Sequence, residues 1–137
     1  MKTALDVDIE LFKILDASAV LKSAITGRIY KGNRPDSSEL EDISINTITL
    51  GDGSIQEGVS NVNIHIKDLT ATIAGKTQNF ANHARLVTLT NLVKPLLEET
   101  YGDDFNLWIE WTRSIPEPEI KQHYMNMRIR FRFDNLY

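Results

Sequence analysis

The sequence predicts an α+β fold: one mixed or antiparallel β-sheet with helices packed on one face, in the order α-β-β-β-α-β-β, within a single domain spanning residues 1–137. Three patterns predict it. Large apolar residues recur about once per helical turn near the N-terminus. Segments 59–67, 105–112 and 124–133 alternate apolar with polar residues, the period of a strand. A long helical stretch separates the early strands from the last two. At 137 residues the chain can build one core, and two would be hard to bury.

Residues 4–15 place Leu5, Ile9, Phe12 and Leu15 on one expected helix face, with Asp6 and Asp8 near the positive end of the dipole. Asp16 or Ser18 can cap a second short helix running through Lys22, with Gly27 as a stop. Arg28-Ile29-Tyr30 reads as a short strand, and residues 32–38, rich in Gly, Pro, Asp and Ser, as a loop. Residues 42–50 form a strand whose apolar phase shifts from Ile43 and Ile45 to Ile48 and Leu50, which a bulge near Asn46-Thr47 explains. Gly51-Asp52-Gly53 turns the chain.

From Val59 to Lys67 the alternation is clean, with Val62, Ile64 and Ile66 on one face and Asn61, Asn63, His65 and Lys67 on the other. Residues 68–78, small and polar, read as a surface loop. Phe80 to Tyr101 reads as the main helix, its inner stripe formed by Ala81, Ala84, Thr88, Leu92, Val93, Leu96 and Leu97. Pro95 should kink it or restart a turn, because its ring clashes with the carbonyl four residues back. Gly102 ends it. In the next strand Phe105, Leu107, Ile109 and Trp111 face inward. A stiff linker over 114–119, held extended by Pro116 and Pro118, leads to the last strand, where Met125, Met127, Ile129, Phe131 and Phe133 face the core.

Composition narrows the function. The hydrophobic fraction of 42% and charged fraction of 25% are those of an ordinary globular protein. No apolar run reaches a membrane span, and the acids of the first eight residues argue against a secretory signal. The chain has no cysteine, which excludes disulfides and thiolate catalysis. A net charge of −4 argues against a general nucleic-acid binder.

Motifs for small-molecule chemistry are missing. Ala74-Gly75-Lys76-Thr77 echoes a phosphate loop, but Thr70 stands where the motif needs its first glycine, so a flexible loop is the better reading. His65, His83 and His123 lack the spacing of a metal-binding pair and read as surface or hydrogen-bonded histidines. The acid pairs Glu98-Glu99 and Asp103-Asp104 look like solvated turn residues. No serine sits in a nucleophile elbow. The expectation is a protein without enzymatic activity, metal or cofactor.

The charge pattern points instead to contacts with macromolecules. Arg128, Arg130 and Arg132 project from one strand face roughly 6.5–7 Å apart. They can dock carboxylates or phosphates, or pair across the sheet with Glu110 and other surface acids. Trp108, on the polar face of its strand, can cover the core's edge or anchor a partner. Segment 36–42 carries Asp36, Glu39, Glu41 and Asp42 with no basic residue. These eight residues are the candidate interface.

The progression Gly27-Arg28-Ile29-Tyr30, Arg34-Pro35, Glu41-Asp42-Ile43-Ser44-Ile45-Asn46, Gln56-Glu57-Gly58 and Asn61-Val62-Asn63-Ile64-His65-Ile66-Lys67-Asp68, then a long helix and two strands, resembles the tail terminator and tail completion proteins of long-tailed phages and prophages. The resemblance implies a small α+β subunit forming a ring-like homo-oligomer, a hexamer, that caps the tail tube and joins it to the head connector. It implies a structural protein of the virion tail, assembled in the bacterial host cytoplasm, with no substrate and no cofactor. A head-to-tail ring needs two complementary patches, which the acidic segment and the arginine row could supply. The alternative is a single-stranded nucleic-acid-binding or other interaction module, using the arginines with Trp108 and Tyr124 for stacking.

Overall fold

A capping box opens the first helix. Thr3 Oγ1 accepts from the Asp6 amide at 3.3 Å while the Asp6 carboxylate accepts from the Thr3 amide at 2.7 Å. The computed structural model describes residues 2–98, 100–102 and 104–135, so Glu99 and Asp103 of the acid pairs lie outside the described residues. In chain order the elements are α1 (Ala4–Asp16), α2 (Ala19–Ala24), β1 (Ile29–Lys31), β2 (Ile43–Leu50), β3 (Ile55–Lys67), β4 (Leu69–Ile73), β5 (Lys76–Phe80), α3 (His83–Leu97), β6 (Thr100–Tyr101), β7 (Phe105–Glu117) and β8 (Gln122–Asp134), with a 3₁₀ turn at Pro118–Ile120.

Six strands form one mixed sheet in the order β1-β2-β3-β8-β7-β6, parallel only between β1 and β2. Its spine is the antiparallel ladder of β3 and β8, in register without a break from Ile55↔Asp134 to Lys67↔Gln122. Because side chains alternate, that register sends Val62, Ile64, Met127, Ile129 and Phe131 to one face. There they meet Leu11 and Leu15 of α1, Leu21 of α2, and Leu89, Val93 and Leu97 of α3 in one apolar core. The predicted α+β class and the one-sided helix layer are observed. Among the described residues no helix is long and apolar enough to cross a membrane.

The structure corrects several expectations. In α1 the buried face is Val7, Leu11 and Leu15, whereas Leu5 and Ile9 are exposed. The helix carries two overlapping apolar stripes. Its rotation follows the buried Asp8 carboxylate, which accepts from both the amide and the hydroxyl of Thr47. That bond holds β2 where its register with β3 shifts between Thr47 and Thr49, next to the expected bulge position. Ser18, not Asp16, caps α2.

Helix α3 starts only at His83, capped by Asn82, and its inner face is Leu86, Leu89, Thr90, Val93 and Leu97; Ala84 and Thr88 are exposed. Pro95 sits in its last turn, and Gly102 lies in the turn between β6 and β7. The segment expected as a polar loop, 68–78, falls largely within a hairpin of β4 and β5. Ala74 and Gly75 both have positive φ, as a tight two-residue hairpin turn requires. Residues 114–117, expected as linker, continue β7 and pair with β8.

Gly58 shows how tightly β2 and β8 close on β3. A Cβ there would strike the Thr49 carbonyl and lie 2.6 Å from the Phe131 ring. Gly58→Ala should therefore cost about 1–3 kcal/mol through overpacking, read as a lower urea midpoint. An unchanged midpoint would contradict this packing.

Candidate functional site

The sheet face opposite the helices carries few large aliphatic side chains, and it gathers most of the polar residues singled out in the sequence. An extra residue in β7 shapes one half of it. Ile109 pairs with Ile129 and Trp111 with Arg128, so Glu110 is a bulge between them. The bulge reverses the side-chain phase and turns Trp111 to the open face, against the expectation that it faces the core. The Arg113 guanidinium lies 4.9 Å from the Trp111 ring centre and that of Arg128 lies 5.7 Å away, both within cation–π range.

Glu110 is shared by two arginines, at 3.3 Å from Arg128 and 3.1 Å from Arg130. Arg132 is exposed and stands opposite Glu57. Trp108, opposite Arg130, is 37% exposed. Three arginines, two tryptophans and Arg113 thus share one face, and Glu110 partly neutralises it. Single exposed pairs of this kind contribute little to stability.

The acidic segment is arranged differently. Asp42 has no exposed surface; its carboxylate accepts from the Arg28 amide at 3.1 Å, from Arg34 at 3.3 Å and from the Ser38 hydroxyl. Arg34 also reaches Gln122 Oε1, and Gln122 Nε2 donates to the Ser38 carbonyl at 2.6 Å. This network clamps the 32–42 loop over one end of the open face. Glu41 forms a two-point pair with Arg85 at 2.6 and 2.7 Å, which holds the Arg85 guanidinium above its ordinary pKa. Arg85 in turn donates to the Ala24 carbonyl, tying α3 to the end of α2. Glu39 meets Lys67 at 3.3 Å on the surface, and Asp36 is exposed. Asp42 and Glu41 therefore serve the chain's own fold; Asp36 and Glu39 are the acids of this segment left at the surface.

Between the clamped loop and the strands lies a polar groove of about 490 Å³ lined by Arg34, Asp36, Asn46, His65, Glu117 and Tyr124, among others. His65, buried on the open face, exchanges a 2.9 Å hydrogen bond with Ser44 and lies 3.5 Å from Glu117. Burial, helped by the Arg34 charge, pushes its pKa down to about 4. The Ser-His-Glu order has the outline of a hydrolytic relay, but one property of its histidine weakens it. An imidazole titrating so low is a weak base at neutral pH. Sequence reasoning missed this cluster because its members are joined only by strand pairing. Among the described residues no three metal-ligating side chains cluster. His123 pairs with Asp68 at the base of the hairpin, not with His65.

No protein-family model and no curated protein matches the sequence. Among solved structures, a chain of the virion of a native gene transfer agent (GTA) particle shares the fold. The TM-score is 0.63 at 13% sequence identity, covering 97% of this chain and 99% of that one.

Two outcomes test this geometry. Asp42→Ala strands the half-buried Arg34 charge and should cost about 3–5 kcal/mol in chemical denaturation. His65 titrates near 6.5 when unfolded and near 4 when folded, so the unfolded chain holds the extra proton between those values. Stability is then fully present above pH 6.5 and is lost as pH falls towards 4, by at most about 3 kcal/mol. His65→Gln should flatten that part of the pH profile, and an identical profile would contradict the assignment.

Proposed function

We propose that the chain is a structural subunit of a phage-like virion and acts as a tail terminator or completion protein. In this reading identical copies close into a ring, a hexamer, that caps the tail tube and meets the head connector, without substrate or cofactor. The observation that carries it is the end-to-end likeness to a chain of a gene transfer agent virion, aligned over nearly the full length of both. The resemblance of the 27–68 progression, and of the long helix and two strands after it, to tail terminator proteins supports the tail as its place. The open sheet face adds a physical reason: Trp108, Trp111 and the arginine row are residue types enriched where proteins meet.

A closed ring should appear in native mass spectrometry as one discrete oligomer that persists on dilution. A monomer across the whole accessible concentration range would contradict the reading. Arg130→Glu should raise the concentration for half-assembly about tenfold, as a loss near 1.4 kcal/mol implies. Unchanged oligomer mass by light scattering would remove the arginine row from the interface.

One observation favours a second reading. Trp111 between two guanidinium groups, with Trp108 nearby, has the make-up of a base-stacking platform for single-stranded nucleic acid. Retention on single-stranded DNA that falls with salt, and is lost in Trp111→Ala, would support it. No retention at low salt would dismiss it.

A further inference from the structure

Among the described residues, the β4–β5 hairpin packs mainly against itself. Each of its residues is exposed, and its dominant contacts are between its own two strands. Its register is nonetheless amphipathic. The pairs Leu69↔Phe80, Ala71↔Gln78 and Ile73↔Lys76 share one face, while Thr70, Thr72, Thr77 and Asn79 share the other. Leu69 is 53% exposed, Ile73 50% and Phe80 39%. A lone two-stranded hairpin is marginally stable in water, so an apolar face of this kind gains from a partner. Its base is fixed: Asp68 accepts from His123 and donates its amide to the Lys121 carbonyl.

The complementary feature lies at the other end of the sheet. Exposed Leu5 and Ile9 stand one turn apart on α1, whose Asp8 holds Thr47 beside the exposed Ile48; Ile55 is exposed at the start of β3. The Lys2 main chain bonds Gln56, which fixes the start of α1 to that end. The exposed acid Asp52 lies in the turn between Ile48 and Ile55, whereas Lys76 is the one charge between residues 69 and 80. The hairpin cannot cover this patch in its own subunit. From Ser60, beside the bulge, to Lys67 at the root of the hairpin is about 23 Å of strand, and five hairpin residues reach only about 17 Å.

We infer that the apolar face of the β4–β5 hairpin docks on the Leu5–Ile9–Ile48 patch of a second copy of this chain. This contact rests on the ring reading above and specifies its interface. Donor and acceptor are different surfaces at opposite ends of the subunit, so the contact is head-to-tail and propagates until it closes. Lys76 at the hairpin tip would meet Asp52, which sets orientation while the apolar contact supplies affinity.

Two exposed substitutions separate the outcomes: Ile73→Asp on the hairpin and Leu5→Asp on the patch, each checked for native circular dichroism and an unchanged melting temperature. In native mass spectrometry the wild type should form a closed oligomer and each variant alone a monomer. An equimolar mixture should give a dimer holding one of each, because one intact hairpin then meets one intact patch. If the wild type assembles but either variant alone still does, or if the mixture stays monomeric, the docking assignment is overturned and the ring reading stands on other contacts. A wild type monomeric at every concentration overturns both.

Discussion

The unbroken register of β3 against β8 is the constraint from which the rest of the structure follows. A one-residue slip of β8 along β3 would carry Met127, Ile129 and Phe131 to the open face and bring Asn126, Arg128 and Arg130 beneath the helices. The cost of burying those polar groups without partners fixes the register. Once it is fixed, the two faces have separate tasks. One closes on the three helices. The other holds arginines, tryptophans, amides and the clamped loop in fixed relation to one another.

On that scaffold the polar contacts divide into those that finish the fold and those that remain for other molecules. Buried Asp42, Gln56 and Asp8 each join segments distant in sequence: Asp42 locks the 32–42 loop, Gln56 bonds the Lys2 main chain and Asn135, and Asp8 ties α1 to Thr47 at the irregularity of β2. Such groups are strongly held because an unpaired partner would be left in a poorly solvated place. The hairpin, the Leu5–Ile9 ridge and the Trp–Arg face have no such internal duty. Their exposure is what a chain that meets neighbours would show.

Much of the fold was legible because strong periodicity survives tertiary packing. The alternation in β3 and β8, the cap at Ser18 and the phase shift in β2 all correspond to observed elements. The misses have physical causes. A one-residue bulge at Glu110 has no sequence signature of its own, yet it moves Trp111 from the core to the open face. The hairpin went unread because a strand pair without a core is rich in threonine and resembles a loop; the Ala74-Gly75 turn between alternating segments was the available signal. The role of Asp42 depends on Arg34 meeting Gln122 across most of the chain, which local pattern cannot show. Likewise the choice between the two stripes of α1 was made by Thr47, a residue on another element.

The central claim is that this chain works by gripping copies of itself through surfaces its own fold leaves bare. Hydrogen–deuterium exchange of the β4–β5 amides, compared at concentrations below and above assembly, tests it most directly. The account predicts fast exchange in the dilute subunit and strong protection once copies associate, with the β3–β8 amides protected in both. Equal, rapid exchange of the hairpin in an assembled sample would contradict it.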